Sequence, residues 1–338
     1  MRNNMSGNTY KPMRSALQMN TSVKNHPADD ITDFALLQPG HQYKLNDLVN
    51  PDRSVSCQCT QIHQRNWSRV GSGQIVTEDG NTHQVFLKQN VSRNGEILLD
   101  QWDYEKSGAT IASELFQKTI FIPRLIYHNE SLALCVFEYI DIIPFDELLR
   151  QNNSLFQPCF TAFLDRSVQL LQTMQSGRPG AMFDALSEKQ RPYGSSSTSI
   201  NFKGFDIRNI GIINEQGNQS DSREFAMFDF GRPYQAPIEE AAAKLFISIG
   251  LLNWGKPIHR FAKGPDTELL SMSLPYLQPY LAQAALNAEL DLQTRFRSSE
   301  VKGSGIVEKS IKKFGIDSLG KRYLNQLRAW CDNHIDEV

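Results

Sequence analysis

The chain has 338 residues, of which 40% are hydrophobic and 21% are charged, and its formal net charge is −2. This length suits one large domain of two lobes or two ordinary domains, and the composition is typical of a globular protein with a sizeable core. Because the charge is nearly balanced, no overall positive field favours a nucleic acid or an anionic membrane, and we expect no nucleic-acid partner.

Two further features bear on where the protein works. The five cysteines are odd in number and scattered, so they do not indicate a disulfide framework, and we expect reduced thiols and a cytoplasmic location. The start of the chain lacks the apolar core of a signal peptide. The most apolar later stretch, residues 241–254, contains Lys244 and is shorter than the ~20 residues that cross a bilayer, so no membrane span is predicted.

The first part of the chain predicts an arm followed by a strand-rich lobe. Residues 1–30 have no sustained hydrophobic period and predict a flexible or docked N-terminal arm. Residues 31–140 form the predicted N-terminal lobe, with strands at residues 57–63, 74–77, 82–88, 124–127 and 132–139. Glu78-Asp79-Gly80-Asn81 is a strong hairpin-turn signal, and residues 98–117 change to helical spacing.

The second part, residues 141–338, predicts a larger and mainly helical lobe. Helical spacing marks residues 145–150, 160–174 and 238–252, with further helices between residues 267 and 335. Two short strands, residues 207–213 and 225–228, interrupt this pattern. Strands gathered in one half and helices in the other indicate an α+β fold with segregated lobes, rather than alternating βαβ units.

A lysine and a glutamate of the first lobe are expected to form a pair. Alternation along the strand places Lys88 on the same face as Phe86, which we take as the inner face of the sheet. On the following helix, Glu105 lies on the apolar stripe with Ala109 and Ala112. A charge on a buried face is costly unless it is paired, so Lys88 and Glu105 are natural partners.

A second group of polar residues flanks the two short strands of the helical lobe. Asp206, Arg208 and Asn209 precede the first of them, and Asp229-Phe230-Gly231 follows the second. If the strands form a hairpin, the two groups come close together. A carboxylate there can orient an attacking hydroxyl, and carboxylate and amide oxygens suit Mg²⁺.

In chain order, these features resemble the protein-kinase-like superfamily over roughly residues 55–255. The series comprises a strand lysine, a helix glutamate, a hinge at Glu138-Tyr139-Ile140, a catalytic loop at residues 206–209 and the Asp-Phe-Gly tripeptide. The hinge and the short loop are most similar to the aminoglycoside phosphotransferase and small-molecule kinase branch. The resemblance implies a two-lobed fold, with an N-terminal antiparallel sheet plus one helix and a larger helical C-terminal lobe.

The resemblance also implies an ATP- and Mg²⁺-dependent transfer of the γ-phosphoryl group. Lys88 would contact the nucleotide phosphates and be held by Glu105, and the backbone of Glu138 and Ile140 would bind the adenine. The catalytic pair would be Asp206, which orients the acceptor hydroxyl, and Arg208. Asn209 and Asp229 would hold magnesium, and Gly71 and Gly73 would cover the phosphates.

The acceptor and the activity itself stay open at this point. The chain continues quickly from Gly231 into a helix, which favours a hydroxyl of a small molecule or saccharide over a peptide. However, Asp206 and Asn209 are three residues apart where the family usually has five, and the residue five before Asn209 is Gly204. A catalytically inactive kinase-like binding protein, or a kinase-fold enzyme that modifies a protein, are therefore the alternatives. The sequence does not indicate an oligomeric state.

Overall fold

A computed structural model describes most of the chain. The described ranges are residues 36–48, 54–65, 67–77, 80–92, 94–151, 154–177, 198–214, 225–252, 264–302 and 317–335. Contacts divide the chain into residues 1–33 and residues 34–338. The predicted arm at residues 1–30 lies outside the described residues, and everything below concerns the second unit. The boundary proposed between residues 140 and 141 stays a prediction.

Six antiparallel strands form a closed barrel in the first part of this unit, in the order β1-β2-β3-β4-β6-β5. They are β1 (Gln42–Asp47), β2 (Ser54–Gln64), β3 (Ser68–Val76), β4 (Thr82–Asn90), β5 (Leu125–Asn129) and β6 (Leu134–Glu138). The predicted antiparallel sheet is confirmed, but β1 and the closure of the barrel were not predicted. Closure depends on just two residue pairs, Asn46 with His128 and Asp47 with Tyr127.

Alternation along β4 separates the barrel interior from the face that carries the site. Val85 and Leu87 belong to the buried cluster inside the barrel. Phe86 and Lys88 point to the opposite face, as the alternation predicted. That face is not the inner side of the barrel, as we expected, but its outer side. Lys88 is nevertheless buried there, because helix α1 packs across it.

Helix α1 (Leu99–Leu115) confirms the helix predicted over residues 98–117. Its buried face includes Trp102, Glu105 and Ala109, which are spaced for one side of a helix. The Trp102 indole N–H donates to the carbonyl oxygen of Leu134 at 3.2 Å, so the helix is bonded directly to strand β6. This contact places Glu105 over the outer face of the barrel.

The second part of the unit is mainly helical and includes two small sheets. Its described helices are α2 (Phe145–Arg150), α3 (Phe156–Ser176), α4 (Ile238–Gly250), α5 (Thr267–Leu277), α6 (Gln283–Lys302) and α7 (Asp317–His334). Its described strands are β7 (Ile142–Pro144), β8 (Thr198–Phe202), β9 (Ile210–Ile213), β10 (Phe225–Met227) and β11 (Pro233–Pro237). Strands β10, β9 and β7 form one sheet, and β11 and β8 form the other.

The predicted hairpin of residues 207–213 and 225–228 is confirmed, with a correction at its start. Strands β9 and β10 pair antiparallel. Strand β9 begins at Ile210, because Ile207–Asn209 forms a single 3-10 turn. The Asp206 carboxylate caps this turn by accepting the Arg208 backbone N–H at 2.9 Å.

The architecture is therefore mixed, with an N-terminal antiparallel sheet and a mainly helical C-terminal part. Helix α4 lies at the centre of the helical part and is buried almost throughout, as its apolar sequence predicts. In the part of the chain that the structure describes, no helix combines the length and apolarity needed to cross a membrane.

Candidate functional site

A cleft of about 700 Å³ lies where the barrel, helix α1 and the loops of the helical part meet. Eight of the ten predicted site residues line it: Lys88, Glu105, Glu138, Ile140, Asp206, Arg208, Asn209 and Asp229. They are spread over more than 140 residues of sequence, and folding brings them to one cavity. The other two, Gly71 and Gly73, do not line it.

Lys88 is the centre of the site. Its ammonium nitrogen lies 2.7 Å from a carboxylate oxygen of Glu105 and 2.7 Å from Oδ1 of Asp229. Lys88 and Glu105 are buried, whereas the Asp229 side chain is 55% exposed. The predicted Lys88–Glu105 contact is thus present, and Lys88 also joins helix α1 to the Asp-Phe-Gly segment.

The charges of Lys88, Glu105 and Asp229 shift one another's pKa values. Burial alone would lower the pKa of Lys88, but the carboxylates of Asp229 and Glu105 outweigh burial and raise it. The Lys88 ammonium holds the pKa of Asp229 below its ordinary value. Burial raises the pKa of Glu105, and the charge of Lys88 offsets only part of that rise. With all three ionised the group has a net charge of −1, and its exposed carboxylate faces the cleft.

The backbone of the Asp-Phe-Gly segment has an unusual conformation. Asp229 has φ 60° and Gly231 has φ 59°, both in the left-handed region. That region is unfavourable for a residue with a side chain, and such strain collects at functional sites. Here it turns the chain sharply after strand β10, so the Asp229 carboxylate points back toward Lys88.

The residues of the predicted catalytic loop form a tight local cluster. The Arg208 guanidinium forms a bidentate contact with the Asp206 carboxylate. Its Nε donates to Oδ1 at 2.8 Å, and its Nη2 donates to Oδ2. Burial opposes the positive charge of Arg208, but Asp206 outweighs it and raises the pKa of Arg208. The Asn209 amide donates to the carbonyl oxygen of Gly204 at 2.9 Å and approaches that of Asp229 at 3.4 Å.

Gly204 explains why the loop carries no carboxylate five residues before Asn209. Its N–H donates to the carbonyl oxygen of Phe230 at 2.7 Å. A Cβ atom at this position would come within 1.7 Å of the carbonyl oxygen of Asp229. The position is therefore restricted to glycine by direct backbone contact. The carboxylate of the loop is found instead at Asp206.

Helix α4 supports the predicted catalytic loop and the adjoining strands β8 and β11 through two side chains that sequence reasoning missed. Ser248 Oγ accepts the N–H of Ile207 at 3.0 Å. Lys244 donates to the carbonyl oxygen of Phe202 at 3.0 Å and to the Tyr234 hydroxyl at 2.9 Å. The sequence did carry a signal for these two residues, because both are polar within the otherwise apolar run of this helix.

The hinge predicted at Glu138 and Ile140 lies on the rim of the cleft. The Glu138 N–H donates to the carbonyl oxygen of Arg124 at 2.9 Å, and its carboxylate accepts from Arg124 Nε at 2.9 Å. Of the two backbone groups of Glu138, the carbonyl is therefore the one that could bond an adenine. That adenine contact stays a prediction, as does the one at Ile140.

The packing of strands β2 and β3 explains why residues 71 and 73 are glycine, which the sequence did not reveal. Both lie within strand β3, where a Cβ at Gly71 would meet the Gln61 carbonyl oxygen at 1.8 Å. The pairing of β2 with β3 shifts between Cys59 and Gln61, so the strands approach closely at an irregularity. The tip of the β2–β3 hairpin lies nearer the site than these glycines, and its residue Arg65 lines the cleft.

Comparison with known proteins adds little. No protein-family model matches the chain, and no curated protein sequence matches it. Among solved structures, the chain is similar to the GDP complex of a mutant aminoglycoside 2'-phosphotransferase IIIa. The identity is 9% and the TM-score 0.47, over 83% of this chain and 95% of that chain. The mixed helix and sheet content is compatible with this neighbour, but a likeness so distant carries no functional argument.

Proposed function

We propose that this chain is a kinase-like phosphotransferase that uses ATP and Mg²⁺ to phosphorylate a hydroxyl of a small molecule or saccharide. The observation that carries the proposal is the contact of Lys88 with both Glu105 and Asp229, at 2.7 Å each. A buried lysine, held by a buried glutamate and directed at a solvent-accessible aspartate, is the arrangement that a nucleotide triphosphate and its metal require.

The donor groups on the cleft wall fit magnesium. The described residues hold no group of three or more His, Cys, Asp or Glu side chains that could bind a metal by themselves. Magnesium in phosphoryl-transfer sites needs no such cage, because one or two protein oxygens, phosphates and water complete its shell. Asp229 and Asn209 would supply those oxygens, and bound Mg²⁺ would neutralise charge on the phosphates. The net −1 charge of the Lys88 group favours a cation at this place.

The chain's own residues would act mainly by positioning. Lys88 would bind the nucleotide phosphates, with Glu105 keeping its ammonium in place. Asp206 would orient the acceptor hydroxyl, and Arg208 would hold the Asp206 carboxylate in a single orientation. Catalysis of this kind depends on correct placement and charge neutralisation rather than on a covalent intermediate.

The segment after Gly231 supports a small acceptor. Residues 233–237 form strand β11, and helix α4 begins directly at Ile238. Strand β11 pairs along its whole length with β8, so this segment is fixed in a sheet. It offers no long loop for docking a peptide, which favours a small molecule or a saccharide.

A second candidate function rests on the Asp206–Arg208 contact. Arg208 occupies both oxygens of the Asp206 carboxylate, and Gly204 leaves no room for a carboxylate elsewhere in the loop. These two observations favour a protein that binds a nucleotide without transferring phosphate and regulates a partner. A kinase-fold enzyme that modifies a protein is a third candidate.

Calorimetry and product analysis test the proposal. We expect the wild-type protein to bind ATP more tightly with Mg²⁺ than with EDTA, and Asp229→Ala to remove that Mg²⁺ dependence. Asp103→Ala, an exposed aspartate on helix α1, is the control. Release of ADP with an acceptor supports phosphotransfer, and pyrophosphate indicates nucleotidyl transfer instead. Nucleotide binding without any turnover favours the regulatory protein, and no nucleotide binding refutes the proposal.

A further inference from the structure

The cleft has a strong excess of negative charge for a site that is to hold a polyphosphate. Seven carboxylate residues line it: Glu105, Glu138, Asp141, Asp146, Glu147, Asp206 and Asp229. Four cationic residues line it: Arg65, Lys88, Arg150 and Arg208. An anionic ligand that Lys88 binds therefore gains most from any further cation that no carboxylate already engages.

Three of the four cations are engaged. Lys88 contacts Glu105 and Asp229, and Arg208 grips Asp206. Arg150 contacts Glu147 at 2.7 Å, one turn away on the same helix. Within the part of the chain that the structure describes, no ion pair joins Arg65 to a carboxylate.

Strand register places the β2–β3 tip beyond Lys88. Val70 of β3 lies opposite Lys88, and Ser68 lies opposite Asn90. The strand thus continues two residues past the level of Lys88, about 7 Å at the usual rise per residue. Arg65 follows directly on the other side of the tip and lines the same cleft as Lys88.

The base of this tip is well anchored. The Arg65 backbone N–H donates to the carbonyl oxygen of Ser68 at 2.7 Å. Gln64 accepts from Arg69 Nε at 2.8 Å, and Arg69 donates to the carbonyl oxygen of Leu37 at 2.7 Å. These bonds hold the two strand ends in place, so the Arg65 side chain extends from a fixed base.

We propose that Arg65 is a phosphate-binding residue that covers the nucleotide, taking the part that glycine N–H groups play in a glycine-rich loop. This inference rests on the proposed function. The tip, Arg65-Asn66-Trp67, contains no glycine, so the backbone has less freedom to wrap a phosphate. The Arg65 guanidinium compensates for the missing glycine N–H groups, because its N–H donors can bond two phosphate oxygens at once.

The test compares ligands that differ only in phosphate content. Binding of the ATP analogue AMP-PNP with Mg²⁺, and of adenosine, is measured calorimetrically for the wild type, Arg65→Ala and Arg65→Lys. We expect Arg65→Ala to weaken AMP-PNP binding at least ~10-fold, as for loss of a hydrogen bond between charged groups, and to leave adenosine binding unchanged. Arg65→Lys should recover part of the lost AMP-PNP affinity, since it keeps the positive charge but not the bidentate guanidinium.

Trp67→Ala is the matched control, because Trp67 lies at the same tip, is 63% exposed and does not line the cleft. We expect it to bind both ligands as the wild type does. If Arg65→Ala binds AMP-PNP as tightly as the wild type, the role of Arg65 is refuted while the proposed function stands. Equal weakening of AMP-PNP and adenosine also refutes it, since the effect is then on the fold. A wild type that binds neither ligand refutes the proposed function as well.

Discussion

Gly204 and Asp229 are in backbone contact so close that no side chain fits between them. A Cβ on Gly204 would lie 1.7 Å from the Asp229 carbonyl oxygen and 2.9 Å from its carbonyl carbon. The catalytic loop and the Asp-Phe-Gly segment therefore support each other at this point, and the Gly204 N–H bond to Phe230 adds to the contact.

Replacing Gly204 should separate these two segments. We expect Gly204→Ala to destabilise the protein by about 3 kcal/mol, near the upper end for overpacking, because backbone rather than a flexible side chain must move. Chemical unfolding measures the loss. Gly80→Ala is the control: Gly80 has φ +80° but nothing within 4 Å of its added Cβ, so only backbone strain of ~1 kcal/mol applies. Equal losses for the two variants would show that the contact is unimportant.

Substitutions of Lys88 and Glu105 should destabilise the protein by different amounts, and their effects on the free energy of unfolding should not add. Lys88→Ala leaves the carboxylates of Glu105 and Asp229 facing each other without a counter-charge, and should cost ~3–5 kcal/mol. Glu105→Ala should cost less, because Lys88 keeps its contact with Asp229. The double mutant should cost ~1–3 kcal/mol less than the sum of the two.

Unfolding in urea gives the coupling energy of this pair. Asp103 and Lys106 are the comparison, since they form a partly exposed contact of 3.5 Å on the same helix. Their coupling should stay below ~0.5 kcal/mol. Simple additivity of Lys88→Ala and Glu105→Ala would contradict the pairing.

Ser248 is expected to support the predicted catalytic loop in addition to its own helix. Ser248→Ala removes the acceptor of the Ile207 N–H, a group that is fully buried, and should cost ~1–3 kcal/mol. Ser273→Ala is a close control. Ser248 and Ser273 are buried helical serines that donate to the carbonyl three residues back, but within the described part of the chain the Ser273 hydroxyl bonds no loop residue. We expect the Ser273 variant to lose under ~1 kcal/mol, and similar losses would argue against the loop contact.

His128 should make the fold sensitive to mild acid. Burial, and then the nearby charge of Lys106, lowers the pKa of His128, while Glu130 opposes the shift. Because the native pKa lies below that of the unfolded chain, only the unfolded state takes up a proton as the pH first falls. Stability is therefore full above ~6.5 and is lost as the pH falls below it.

Comparison of unfolding at pH ~7 and pH ~5 detects this loss, which His128→Gln should remove. Two charge variants test whether Lys106 and Glu130 shift the pKa of His128. Lys106→Met should raise the pKa of His128 and Glu130→Gln should lower it further, as followed by NMR titration of the ring. An identical pH dependence of stability in the wild type and His128→Gln would contradict the assignment.

Much of the site was predictable because it depends on local periodicity. Alternation in β4 and the helical spacing of α1 were enough to place Lys88 opposite Glu105. The β9–β10 hairpin then brought Asp229 near Asn209, as expected. What these patterns could not reveal is that Lys88 points outward from a closed barrel, because closure depends on the distant pairing of β1 with β5.

The sequence could not resolve the place of certain glycine and arginine residues. A glycine in a strand has the same signature whether it marks a phosphate loop or a close strand contact, and Gly71 and Gly73 lie in strand β3 without lining the cleft. Arg65 had no signal of its own, since its value depends on where the hairpin tip points. Gly204 was noticed only as a missing carboxylate, and its packing against Asp229 became visible in three dimensions.

The close approach of Gly108 to Gly231 bears on regulation. A Cβ at Gly108 would lie 2.2 Å from the Gly231 carbonyl oxygen, so helix α1 rests directly on the Asp-Phe-Gly backbone. Helix α1 therefore cannot move closer to that segment, because backbone already meets backbone. We expect the helix and the segment to move as one unit, so that Glu105 and Asp229 keep their shared contact with Lys88 and regulation does not act through their relative position.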